Sequence, residues 1–266
     1  MFKIKDKVKF SHSENRMKKE GDVKSSIKFF DNNKNLSVLL NERFSWMNNF
    51  INEDNIGIEV GAAAGFSKKF IKCKNFKISD FSELDHLDYK NVDAQNTNFS
   101  NNQFDFVISS NMIHHLPFPL KFFYEMHRIL KKGGKLIIFD AHCSVTLQLI
   151  LILMKHEGFD FTKNVWSLTE PATDDKDLWS GNSAIPYLIF NDENKFSEFM
   201  KGKFILKHKE ICECFLFLNS GGVTSKTFYI PLNYFFLKIL IKIDKLLSTI
   251  APKIFSLAYK IVLEKI

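Results

Sequence analysis

Apolar and polar positions alternate along this chain in blocks that change period. From Leu36 to Ile51, Leu39, Leu40, Phe44, Met47 and Ile51 recur at three- and four-residue steps, which predicts a helix. Asn55–Phe70 (NIGIEVGAAAGFSKKF) predicts a short buried strand, a tight glycine turn, and a helix through Lys69. A second strand is predicted at Phe76–Ser79, ending in Asp80, and a third element ends in Val92-Asp93-Ala94. Phe104–Ser110 (FDFVISS) and Lys135–Asp140 (KLIIFD) read as buried strands, with a helix over Pro119–Leu130 between them that closes at Lys131–Gly134. Short apolar strands alternating with helices call for an α/β fold: a doubly wound, mostly parallel sheet that binds ligands at the carboxyl ends of its strands.

The flanks differ from this core. Residues 1–34 are polar and lysine-rich, and they predict a mobile basic arm. The segment 143–203 is long for a connection and predicts a lid. It starts with the apolar run Val145–Met154, which is too short to cross a bilayer, and then carries Trp166, Trp179, Asn182 and Tyr187 among acids and turn residues. Such residues suit stacking and hydrogen bonding to a polar acceptor, or plain loop packing. Strand-like residues follow at Phe204–Leu218, then a turn at Ser220-Gly221-Gly222. Residues 229–266 are predicted as a basic, apolar helical region, so that 35–228 would form the main domain.

Composition adds a constraint on partners. The net charge of +7 in 266 residues sits at the ends: residues 1–24 hold eight Lys/Arg against four acids, and 231–266 hold six Lys against two acids. A near-neutral body argues against a nucleic-acid stripe and favours termini that meet an anionic surface. In the last region Lys238, Lys242 and Lys245 share one helical side, while Phe235, Phe236, Ile239, Leu240, Ile243 and Leu247 cover much of the rest. This suits a membrane interface, a dimer contact, or a helix pair closing the sheet. Cys73, Cys143, Cys212 and Cys214 are scattered and no secretory signal precedes them, so free thiols in a cytoplasmic chain are expected and no metal is placed. Cys212 and Cys214 alternate on one strand face rather than in a zinc-binding turn.

The glycine turn narrows the chemistry. A dinucleotide fingerprint needs glycine at positions 63 and 66, where Ala63 and Phe66 stand, and a P-loop needs Gly-Lys-Ser/Thr, where Gly65 is followed by Phe66, Ser67 and Lys68. Asp80, 21 residues beyond Glu59, is placed at the end of the neighbouring strand, where a carboxylate can accept from ribose hydroxyls.

Taken in order, EVGAAAG, Asp80, Val92-Asp93-Ala94, FDFVISSNMIHHL and EMHRILKKGGKL resemble the class I S-adenosylmethionine-dependent methyltransferases of small-molecule type, in particular those of bacterial surface-polysaccharide pathways. The resemblance covers about a third of the chain. It implies a seven-stranded, Rossmann-like sheet and S-adenosylmethionine as cofactor. Glu59, Gly61, Ala62, Ala63 and Gly65 would line the methionine side. Asp80, with Phe81 beside it, would hold the ribose, Asp93 and Ala94 would flank the adenine, and Ser110 and Asn111 would lie under the transferred methyl group. No Asn/Asp-Pro-Pro-Tyr/Phe follows the fourth strand and there is no Pro-Cys nucleophile, which disfavours base-amino and glutamine-amide methylation.

A hydroxyl acceptor calls for a general base, and His114, His115 and His142 stand just beyond the fourth and fifth strands. Helix capping and core packing are the alternative roles for them. The expectation is O-methylation of a sugar or lipid-linked glycan by a cytoplasmic enzyme peripheral to the inner membrane, with no nucleic-acid partner. A quinone or other lipid-ring methyltransferase is the nearest alternative, and a non-catalytic, cofactor-binding membrane protein is the alternative of another class.

Overall fold

The computed structural model describes residues 3–10, 23–155, 157–177, 180–223 and 226–266. Its main sheet has six strands: β2 (Ile56–Val60), β3 (Asn75–Ser79), β4 (Phe104–Ser110), β5 (Leu130–Ala141), β7 (Phe204–Cys212) and β8 (Ala258–Lys265), in the order β3-β2-β4-β5-β8-β7. The first four run parallel, and β8 lies antiparallel between β5 and β7. A separate ribbon pairs β1 (Lys7–Val8) with β6 (Phe159–Asp160). This is the expected doubly wound, Rossmann-like arrangement, with six strands in place of seven.

The missing strand has a local cause. The chain around Val92 forms only an isolated parallel bridge, Ser79 to Tyr89, along the edge of β3. There the Asp88 carboxylate accepts the Ile78 N–H at 2.8 Å, and Asp80 N–H and Val92 N–H close the loop on Tyr89 and Asp80 carbonyls. A side chain thus takes a ladder position and the polar loop clips the edge.

Helices cover both faces. β5 sorts its side chains by parity: Leu136 and Ile138 enter one core, and Ile137 and Phe139 the other. The first core packs against α3 (Pro119–Ile129), α5 (Ile185–Phe190) and α6 (Glu193–Phe199). The second packs against α1 (Val23–Asp31), α2 (Lys34–Phe44) and α8 (Tyr234–Ile250). The buried, bidentate Arg43–Glu213 pair ties α2 to the end of β7.

Three segments depart from the sequence expectations. The segment expected as a mobile arm contains β1 and α1, with Phe30 buried against Phe66; residues 11–22 lie outside the described ones. The helix expected after the glycine turn is a single 3₁₀ turn, Phe66–Lys69. The C-terminal region, expected as helical, ends in β8 after α8 and the short α9 (Pro252–Phe255). The run AYKIVL at 258–263 supplies β-branched and aromatic side chains to both faces of a central strand, which outweighs continuation of the helix.

Candidate active site

The carboxyl ends of β2, β3, β4 and β5 converge on one edge. β2 ends in the glycine turn, where Gly61 and Gly65 take φ of +72° and +67°, a left-handed backbone that glycine adopts without cost. A Cβ on Gly61 would stand 2.4 Å from Met112 Cγ, so the turn closes directly on the loop after β4. Ala63 is also left-handed at +44°, a strained state for alanine. It is held there from both sides: its N–H donates to Asp80 Oδ2 at 2.8 Å, and its carbonyl meets His86 Nε2 at 2.7 Å. Ala62 N–H donates to the Ser79 carbonyl and locks the turn to β3.

Glu59 is buried and accepts a short hydrogen bond from Ser67 Oγ. Burial pushes its carboxyl up to about 7, the Ser67 bond partly opposes this, and the nearby Asp80 charge adds to it. Glu59 therefore props the turn from within, while Ala63 stays exposed and small at its tip, leaving room for close approach. Asp80 sits half-buried at the tip of β3, where Oδ1 accepts from Ser82 N–H and Oγ. With Ala63 N–H these bonds fill three of a carboxylate's roughly four acceptor positions. Phe81, next to it, is 50% exposed. Asp93 is half-buried with Oδ1 on the Gln95 N–H, and Ala94 is buried beneath the edge. Ser110 ends β4, and Asn111 follows, exposed and left-handed at +51°, with its N–H on the Phe139 carbonyl. The residues expected to hold a cofactor thus lie along one strand-end edge, with one acceptor position left on the Asp80 carboxylate for a ribose hydroxyl and a small-residue turn for close approach. This donor set fits S-adenosylmethionine.

The histidines separate into two groups. The buried Asp140 carboxylate, at the end of β5, accepts from Met112 N–H, Ile113 N–H and Ala141 N–H, and it meets His114 Nδ1 at 2.5 Å. His114 Nε2 lies 3.3 Å from Glu157 Oε2. Burial opposes charge on His114, but Asp140 and Glu157 outweigh it and lift the ring to about 10. His115 stacks at a tilt 4.2 Å from His114, with Nδ1 3.2 Å from the Ser180 carbonyl and Nε2 3.7 Å from Glu157 Oε1. Burial, and then the neighbouring His114 charge, push His115 down to about 4. A carbonyl only accepts, so His115 Nδ1 carries the proton and the lone pair is on Nε2.

His142 is elsewhere. Its ring is buried, bonds Ser256 Oγ at 2.6 Å, and packs edge-on to Tyr259, with burial pushing its pKa down to about 4. Its contacts are those of a packed core side chain.

The lid residues are also used internally. Trp166 is buried and stacked on Phe199, and Tyr187 packs on Phe161 and His142. Asn182 donates its N–H to the His114 carbonyl and accepts from Asp160 and Ala184 N–H groups. These side chains fold the insertion onto the histidine loop, and plain packing accounts for them. Trp179 lies outside the described residues. Two cavities, of about 630 and 330 Å³, lie away from this edge, the first around Asn48, Ile51 and Lys72, the second under α8 around Phe139, Glu213 and Asp244. Neither includes the glycine turn or the paired histidines, so geometry and charge, not cavity size, mark the site.

Sequence reasoning missed Asp140 and Glu157 as site residues. An acid closing the buried strand KLIIFD was a usable signal for Asp140; Glu157 follows a helix with no pattern around it.

Residues 62–138, from inside the glycine turn into β5, match the family model described as "Methyltransferase domain". Among solved structures, a SAM-dependent methyltransferase from Archaeoglobus fulgidus aligns over 90% of this chain and 99% of its own, with 14% identity and a TM-score of 0.51. One from Methanosarcina mazei aligns over 84% of this chain and 98% of its own (14% identity, TM-score 0.45). The MccD protein aligns over 83% and 95% (16% identity, TM-score 0.46). No curated protein sequence matches the chain significantly. The match covers less than a third of the chain and makes the stretch from the glycine turn into β5 similar to a methyltransferase domain, carried on a Rossmann-like sheet.

Proposed function

We propose that this chain is an S-adenosylmethionine-dependent methyltransferase that methylates a hydroxyl of a sugar or lipid-linked glycan at the surface of an anionic membrane. The observation that carries the lipid-linked acceptor is the outward face of α8, which is apolar and basic. Its inward face holds Leu237, Asp244 and Ser248, and the Asp244 carboxylate accepts three N–H groups, from Cys214, Phe215 and Leu216. Its outward face carries Phe235 at 67% exposure, Leu246 at 57% and Ile250 at 70%, together with Tyr234, Phe236, Ile239 and Ile243. Lys238, Lys242 and Lys245 are exposed among them. A helix that turns aromatic, aliphatic and cationic groups outward matches a headgroup–acyl boundary. No helix among the described residues is long and apolar enough to cross a membrane, so contact would be interfacial.

The hydroxyl acceptor is supported by the loop after β4. His115 Nε2 and Glu157 Oε1, both acceptors, face one another across 3.7 Å on the half-buried side of the histidine pair, where a hydroxyl can donate. When bound, S-adenosylmethionine supplies a methyl group on a sulfonium that leaves as a neutral thioether. The protein's task is alignment and water exclusion, worth effective molarities on the order of 10⁵ M or more. Asp80 and Asp93 would hold the ribose and adenine ends, and the glycine turn the methionine end.

Sedimentation with phosphatidylglycerol vesicles tests the membrane half. Three lysines at about 1 kcal/mol each predict at least a ~100-fold weaker association for the K238E/K242E/K245E chain. Equal sedimentation of both chains refutes it. Labelled methyl donor incubated with a membrane extract tests the acceptor: label in a saccharide released by mild acid supports the proposal, and label in a quinone fraction assigns the lipid-ring alternative.

A further inference from the structure

Both rings of the histidine pair are fixed through Nδ1 by an oxygen acceptor, His114 by the Asp140 carboxylate and His115 by the Ser180 carbonyl. Both therefore turn Nε2 toward the same carboxylate, Glu157. Metal-binding histidines are oriented in this way, with the far nitrogen donating to a carboxylate or carbonyl while the near one meets the ion. Among the described residues, His114, His115 and Glu157 form the one grouping of three ligating side chains, with their ligand atoms all within 4.8 Å of one another. Around a tetrahedral ion with bonds of about 2.0–2.1 Å, ligand atoms lie roughly 3.3 Å apart. The His114–Glu157 separation of 3.3 Å already has that value, and the His115–Glu157 separation of 3.7 Å needs only a small ring rotation.

We propose that His114 Nε2, His115 Nε2 and Glu157 bind a first-row divalent transition ion, such as Zn²⁺, that holds the acceptor's oxygen. Two imidazoles and one carboxylate suit such ions better than Mg²⁺ or Ca²⁺, which take all-oxygen shells. Three protein ligands leave a coordination position open, the mark of a catalytic rather than structural site. The open side faces outward past His115, whose side chain is 26% exposed against 7% for His114. Gly181 makes room for the carboxylate: a Cβ there would stand 3.1 to 3.3 Å from Glu157 Cγ, Cδ and Oε2. The backbone is braced as well, since Asn182 N–H donates to the His114 carbonyl and Thr173 Oγ1 to the His115 carbonyl. Ion binding displaces the His114 Nε2 proton to solvent, and with the ion bound the His115 lone pair is a ligand rather than a base. Ion binding does not depend on the proposed acceptor, whereas the ion's role in holding a hydroxyl does.

The test uses the untagged 266-residue chain, stripped by chelator, with Co²⁺ as probe. One equivalent of Co²⁺ should bind with a visible ligand-field band, and Zn²⁺ should displace it. E157Q and H115A should each weaken binding by at least ~100-fold, above the 10- to 100-fold that loss of an outer-shell partner costs, with unchanged circular dichroism. C73S should bind as the unaltered chain does. Three results overturn the proposal: no Co²⁺ uptake at millimolar ion by a sample that still binds S-adenosylmethionine in the calorimeter, a thiolate charge-transfer band showing cysteine ligation, or binding by a folded E157Q equal to that of the unaltered chain. Because donor binding is read separately, loss of metal binding and loss of the methyltransferase reading are distinguishable.

Discussion

Glu59, the acid of the glycine motif, should make the fold less stable as pH rises, and Glu59→Gln should remove that dependence. The carboxyl is buried, and its pKa of about 7 in the folded chain compares with an ordinary value of 4.5. A raised folded pKa means that the folded state prefers the protonated acid. The group's stabilisation is complete below pH 4.5 and lost as pH climbs through 7. Between pH 5 and pH 8 the loss integrates to about 2.5 kcal/mol. Glutamine imitates the protonated acid in size and can still accept from Ser67 Oγ. Urea unfolding of both chains at the two pH values gives the stability difference, and the other titrating groups largely cancel. E59Q should gain about 2.5 kcal/mol on the unaltered chain from pH 5 to pH 8. A difference that changes by less than about 0.5 kcal/mol would refute the assignment of a desolvated carboxyl beneath the turn.

Three further outcomes follow from the same geometry. Asp80→Ala should weaken S-adenosylmethionine binding at least ~10-fold by calorimetry, since one charge-assisted hydrogen bond is worth about 1.5–3 kcal/mol; unchanged affinity would remove Asp80 from the ribose. Gly61→Ala should cost about 1–2 kcal/mol in thermal unfolding for its left-handed backbone, and more as Met112 is displaced, so a neutral effect would show that the turn is not held at +72°. Asp244→Ala should cost about 2–4 kcal/mol, because the N–H groups of Cys214 and Leu216 are left buried without a partner, offset in part by relief of a carboxyl whose pKa burial raises. An Asp244→Asn chain, which keeps an acceptor oxygen, should lose less than half as much; equal losses would argue against the three-bond cap.

The strand-end site was legible in order along the chain because its parts are local. Gly61 and Gly65 announce a turn by lacking a Cβ, and Asp80 and Ser110 each close an apolar run whose length is set by the sheet. The strand around Val92 was not foreseeable as a loop, since its fate turned on Asp88 reaching across to the Ile78 N–H. Trp166, Asn182 and Tyr187 have the composition of a ligand surface, yet neighbours from distant segments consume them.

By itself, then, the sequence determined the class of fold, the glycine turn and the carboxylates at the strand ends, because periodicity and backbone permissiveness act within a few residues. Only the tertiary structure decided that β8 enters between β5 and β7, that α8 turns its aspartate inward and its phenylalanines out, and that His114, His115, Asp140 and Glu157 meet. Those outcomes depend on which distant partner satisfies each buried polar group. Asp140 and Glu157 come from opposite sides of a helix, and their charges acquire meaning only where the folded chain removes water from between them and the imidazoles.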